Sequence, residues 1–238
     1  MTKKTKKKGS KKKTTVEEQP TTSPEDAPEE GLEGLELPPY MILQMPAEPR
    51  SAAAPSPIRV TGLVGDVTED KAADVLSAII SLMDKGRRET MNEDGTVEVS
   101  YLPFEIVVST NGGSASEMFS LFDLINYAKE RYEVRTLGLG KVMSAGVPLL
   151  AAGTKGSRRI GRNCRVMLHS VVAAFGGSMH DLDAEMDEVR WAQEKYIDAL
   201  VQTTDMTKAY IRKLLKRKVN VYLTAQEAVD LGIADEII

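Results

Sequence analysis

The sequence predicts an α/β fold with a largely parallel sheet, and three observations carry that prediction. Short apolar or β-branched runs recur at Ile58–Val67, Phe104–Ser109, Val134–Leu139 and Cys164–His169. Between them lie stretches with apolar residues at helical spacing, such as Ala72, Val75, Ile79 and Leu82. Turn formers punctuate the junctions, among them Asn92–Gly95 and Asn111-Gly112-Gly113. Strands that alternate with helices are joined by crossovers, and crossovers make the sheet parallel.

Length and composition bound the possibilities. The chain has 238 residues, 42% hydrophobic and 28% charged, enough for one substantial core. A net charge of −4 and 5% aromatic content argue against a nucleic-acid partner, since neither a basic footprint nor stacking platforms are present. Every apolar run falls short of the ~18 residues a membrane helix requires. The single cysteine, Cys164, excludes an internal disulfide and suits the cytoplasm. One cysteine and two histidines leave no typical zinc ligand set. Lysines crowd positions 3 to 13 with no apolar stretch of the secretory kind behind them, and a Glu- and Pro-rich segment follows. Residues 1–56 therefore read as a disordered or processed tail, with Tyr40–Leu43 its one apolar patch. The globular domain spans 57–238.

Each element has a local reason. Thr68 can cap a helix reaching about Lys85. Gly86–Pro103 is an excursion containing one strand, Thr96–Ser100. Ser114 caps a helix whose apolar face is Met118, Leu121, Phe122 and Ile125. Val134–Leu139 ends at Gly138-Leu139-Gly140. A short helix follows Ser144, with Pro148 in its first turn and Gly153 past its end. In Cys164–His169 the side chains alternate, so Arg165, Met167 and His169 share a face. Ser178 and Asp181 form a capping box that opens a long helix over 179–203, with Met186, Val189, Tyr196 and Leu200 as its stripe. A helix over 207–217, a strand near Asn220–Leu223 and a helix over Thr224–Leu231 finish the chain.

The chemistry concentrates between Lys141 and His169. A serine hydroxyl is a poor nucleophile until a base removes its proton, and histidine suits that task near neutral pH. Attack on a carbonyl also needs donors aimed at the oxyanion. Ser144 stands at a strand-to-helix junction, where the N–H of Ala145 is unsatisfied by the helix. The glycine pair at 112–113, after a neighbouring strand, offers another N–H with no side chain in the way. Singly, each signal is weak: a serine ahead of a helix is usually an N-cap, and a histidine closing a strand is usually structural. Lys141 and Lys155 raise a Ser–Lys alternative. The nucleophile elbow of α/β-hydrolases is disfavoured, because Val142 stands where that motif needs glycine.

Together these residues resemble the proteolytic subunit of the Clp protease, ClpP. The likeness runs from Thr61 to Ile238 and rests on Thr61-Gly-Leu-Val64, Asn111-Gly-Gly113, Ser144-Ala-Gly-Val-Pro-Leu-Leu-Ala-Ala-Gly153, Arg165-Val-Met-Leu-His169 and Leu223–Gly232. The resemblance implies a ClpP/crotonase-like fold of repeated β-β-α layers with a protruding handle helix, here the helix over 179–203. It makes Ser144 the nucleophile, His169 the general base, and the N–H groups of Gly113 and Ala145 the oxyanion hole. Asn220 falls on the third triad position, where the family has aspartate. The implied activity is endopeptidase cleavage of extended peptides or unfolded proteins through an acyl-enzyme. The implied assembly is a pair of stacked heptameric rings served by an AAA+ unfoldase. That partner would use the ATP, and this chain would need no cofactor.

Three departures qualify the likeness. Asn220 can orient an imidazole through its side-chain carbonyl but supplies no charge, which predicts a weak or conditional peptidase. Glu105 and Val107 replace the aromatic pair on the strand that receives unfoldase loops, with Tyr127 left to match another pocket aromatic. The link over Gly86–Pro103 is long, and the tail is unrelated to the family's pore segment. A scaffold or regulatory subunit is therefore the alternative reading.

Overall fold

A computed structural model describes residues 59–216 and 220–238. The predicted tail over 1–56, with its Tyr40–Leu43 patch, lies outside the described residues. The elements in order are β1 (Val60–Val64), α1 (Glu69–Asp84), β2 (Arg87–Met91), β3 (Val97–Tyr101), β4 (Phe104–Thr110), α2 (Ala115–Lys129), β5 (Val134–Met143) and α3 (Gly146–Ala151). Then follow β6 (Arg158–Ile160), β7 (Arg165–Leu168), α4 (Met179–Thr203), α5 (Lys208–Leu215), β8 (Val221–Leu223), α6 (Ala225–Asp230) and β9 (Glu236–Ile237).

The predicted α/β class holds. Strands β1, β4, β5, β6 and β9 lie side by side in that order, all parallel. The central strand β5 is longer than its apolar run foretold. It continues through Gly140, which adopts φ +67, and its register against β4 shifts beyond Val108. The first part of β5 pairs with β6 and the last part, Lys141–Met143, with β7. This irregularity splays the sheet, and β7 with its antiparallel neighbour β8 fills the gap. The end of β5 thereby becomes a meeting point of three strands.

Local capping explains the helix starts. The side chains of Thr68, Ser114, Ser178, Thr207 and Thr224 each accept an N–H from the first turn of their helix. The core packs α1 (Ala72, Val75, Ile79) and α2 (Met118, Leu121, Phe122, Ile125) on the sheet, and α3 is buried along its whole length.

Two expectations need correction. Gly86–Pro103 contains two strands, because β2 pairs with β3 as an exposed hairpin around the Asn92–Gly95 turn. The sequence Arg87–Met91 is too polar to signal a strand by itself. The stripe on α4 is also divided: Tyr196 and Leu200 are buried, whereas Met186 is 44% exposed. Residues 172–188 are all exposed, so the first half of α4 projects from the body with no neighbour in this chain to cover it.

The buried cation Arg158 ties the far end of the molecule together. Its guanidinium donates to Asp235 Oδ2 at 2.9 Å and Oδ1 at 2.5 Å. It also reaches the carbonyl oxygens of Thr203 at 2.6 Å and Gly232 at 2.8 Å. It thus pins α4, the turn after α6 and the approach to β9 in one contact.

Candidate active site

Strand β5 delivers Ser144 to the splayed end of the sheet. Its N–H donates to the Met167 carbonyl on β7 at 2.8 Å. Ser144 has φ +53 and, among the described residues, is the only non-glycine with positive φ. That conformation costs on the order of 1–3 kcal/mol and persists only where the surroundings impose it. Ala145 occupies the cap position of α3, and no side chain makes a capping bond there. The hydroxyl of Ser144 is therefore not a helix cap. It stands clear of the backbone, on a sharp strand-to-helix turn, despite the missing glycine at Val142.

The Gly112-Gly113 pair builds the wall opposite. A Cβ on Gly112 would lie 2.5 Å from Ser144 Cβ and 3.0 Å from its Oγ, so only glycine leaves room for the serine. Gly112 itself has φ +100, and its N–H is held by the Thr110 hydroxyl at 2.9 Å. Gly113 bridges to Val67: the Val67 N–H donates to Gly112 O at 2.8 Å, and the Ser114 N–H to Val67 O at 2.9 Å. This bridge turns the N–H of Gly113 the other way. Among the described residues, neither the Gly113 nor the Ala145 N–H donates to any acceptor.

Both residues line one cavity of about 380 Å³. Ser144 and His169 line it too, together with Met118, Val171, Val172 and Tyr196. Four of the five predicted site residues therefore converge. The fifth, Asn220, is exposed and outside the cavity. It precedes β8, whose register pairs Leu168 with Val221. Among the described residues, no hydrogen bond joins Ser144 to His169 or His169 to Asn220. Catalytic hydrogen bonds are often long in ligand-free enzymes and tighten when substrate binds.

The competing candidates fall away. Lys155 pairs with Asp205 at 3.1 Å, away from the serine, and Lys141 lies outside the cavity wall. Burial pushes the Cys164 thiol up to about 11, so it is a core residue and no nucleophile. No cluster of three or more His, Cys, Asp or Glu among the described residues could hold a metal ion. Nor is any helix among them long and apolar enough to cross a membrane.

Sequence reasoning missed what three residues do at the site. Gly112 was in plain view beside Gly113, but its contact with Ser144 depends on how β4 and β5 align. Thr110, fully buried, left no signal apart from preceding the pair. Tyr196 sits 52 residues beyond Ser144 on α4, and its hydroxyl donates to the Ser144 carbonyl oxygen at 3.2 Å. Nothing local could have announced it.

Comparison with known proteins identifies the family. The profile of the Clp protease family matches residues 96–238. The chain is 28% identical over 175 residues to the ATP-dependent Clp protease proteolytic subunit 1 of Corynebacterium jeikeium (strain K411), a match covering 74% of this chain and 85% of that protein. The mixed α/β architecture with its mostly parallel sheet agrees with the same family. The chain belongs to the Clp protease family and is a ClpP-type protease subunit.

Proposed function

We propose that the protein is a serine endopeptidase subunit that cuts extended peptides or unfolded proteins. The observation that supports this most is that Ser144, His169 and two residues whose N–H groups have no partner among the described residues, Gly113 and Ala145, line one cavity. His169 takes the proton from Ser144 Oγ as the oxygen attacks the scissile carbonyl. The oxyanion settles on the two N–H groups, and His169 returns the proton to the leaving amine. Water, activated by the same imidazole, then releases the acyl group. The apolar side chains of Met118, Val171 and Val172 give a substrate side chain a place to bury.

In this reading Asn220 is the third member, its amide oxygen the acceptor for the His169 ring N–H during turnover. It orients the imidazole without a charge to balance the imidazolium, which makes the enzyme slow. The relative's name, a proteolytic subunit, supports an assembly of copies. The apolar residues Met179, Leu182, Met186 and Trp191, all at least 40% exposed on α4, give that assembly a surface to cover. Stacked heptameric rings in the cytoplasm are the arrangement this reading favours. Glu105, ion-paired with Arg159 on the strand expected to receive unfoldase loops, favours an AAA+ partner whose contact is more polar than usual.

The second reading, a scaffold or regulatory subunit, draws on Asn220 and on the absence of a Ser144–His169 bond among the described residues. Fluorogenic-peptide hydrolysis separates the two. Cleavage lost in both Ser144→Ala and His169→Ala supports the enzyme, and Asn220→Asp is expected to raise kcat about 10-fold or more by restoring the charge. Hydrolysis that survives Ser144→Ala, or an Asn220→Asp variant no faster than the parent, would contradict the assignment.

A further inference from the structure

Ser144 and His169 face one cavity without bonding to each other, so something else must set their separation. One face of α4 touches both. The Tyr196 hydroxyl donates to the Ser144 carbonyl oxygen at 3.2 Å. The side-chain oxygen of Gln193 accepts the N–H of Val171, two residues past His169, at 2.8 Å. Gln193 and Tyr196 are three residues apart on one helix, so their side chains leave the same face. Between these points, the Ser170 hydroxyl donates to the Leu215 carbonyl at 3.0 Å, holding the same segment against the end of α5.

Each bond has a feature that a packing role does not explain. The Ser144 carbonyl belongs to the strained φ +53 residue, and it accepts from both Val147 N–H at 3.0 Å and Tyr196. Two donors on that oxygen hold the peptide in a conformation that serine would otherwise leave. Tyr196 is 5% exposed, and burial raises its phenol's pKa, so the hydroxyl remains a donor at any pH where peptides are cut. At Gln193 only the oxygen is used. Its Nε2 is buried with no partner among the described residues. A buried amide that leaves its donor unpaired carries a penalty, so the bond to Val171 is what this residue contributes.

We infer that Gln193 and Tyr196 are positioning residues of the peptidase, a two-point brace by which α4 sets the nucleophile against the base. The inference rests on the reading of Ser144 and His169 given above. Tyr196 acts through the backbone of Ser144, and Gln193 through the chain that follows His169.

The test is the rate at which a fluorophosphonate modifies Ser144 in the full chain, measured against probe concentration. It uses Tyr196→Phe, Gln193→Met and Gln193→Glu, with a thermal melt of each. Tyr196→Phe and Gln193→Met are each expected to lower the maximal rate about fivefold to tenfold, the worth of one hydrogen bond, with half-saturation unchanged. Gln193→Glu keeps the acceptor oxygen and is expected to stay within about twofold of the parent. Parental rates in Tyr196→Phe and Gln193→Met would overturn the brace. So would a Gln193→Glu variant as slow as Gln193→Met, or a rate loss that only follows a falling melting temperature. A parent chain that never labels at Ser144 would instead remove the catalytic reading, and the brace with it.

Discussion

Replacing Arg158 with methionine is expected to lower stability by about 3–5 kcal/mol, the usual cost of removing one partner of a buried ion pair. Arg158 is 2% exposed, and its loss would strand the Asp235 carboxylate and the carbonyls of Thr203 and Gly232 at once. Domains are stable by only about 5–15 kcal/mol, so the change removes a large share of the total. Melting and urea midpoints read it directly. The pair also gives the fold an acid limit. Burial opposes ionisation of Asp235, yet bonds from the Arg158 side chain and N–H and from the Gly156 N–H outweigh it and hold the carboxyl below the usual range. A depressed folded pKa stabilises above the unfolded value, about 3.9, and that contribution fades as pH falls through the folded value. The parent protein should therefore lose stability below about pH 4 more steeply than Arg158→Met does.

Gly112→Ala is expected to reduce Ser144 chemistry by about 100-fold or more, because reacting atoms displaced by about 1 Å lose that much. The new methyl would sit 2.5 Å from Ser144 Cβ, and the neighbouring Met143 carbonyl, 3.0 Å away, closes the other side. Backbone strain alone is not the cause, and Gly65 provides the control. Gly65 has φ +97, close to the +100 of Gly112, but a Cβ there meets nothing within 4 Å. Gly65→Ala should thus show the strain in its melting temperature and keep its rate. Equal rates in the two variants would mean that Gly112 does not shape the nucleophile's site.

The legible part of this molecule was the part governed by neighbours in sequence. Thr68, Ser114 and Ser178 announced their helices because capping is decided within four residues. The apolar face of α2 was readable for the same reason. What could not be read depends on the partner strand or helix. The extension of β5 past Gly140 follows from its shift against β4, and the β2 arm is held by β3 rather than by any apolar pattern of its own. The stripe on α4 was written evenly along the helix, yet burial stops near Val189 because the first half has no neighbour in this chain. The site divides along the same line. Ser144, Ala145, His169 and Gly113 stood out by type and order, and they meet in one cavity. Asn220 also stood out, but it is exposed and lies outside that cavity. Thr110 and Gln193, and the contacts that Gly112 and Tyr196 make with Ser144, became visible only once the chain was folded.

The central claim is that Ser144 is an activated nucleophile, and intact-mass spectrometry after fluorophosphonate treatment tests it most directly. The account predicts one covalent adduct per chain, mapped to Ser144, absent from Ser144→Ala and strongly slowed in His169→Ala. A chain that stays unmodified in its assembled form, or an adduct that persists in Ser144→Ala, would contradict it.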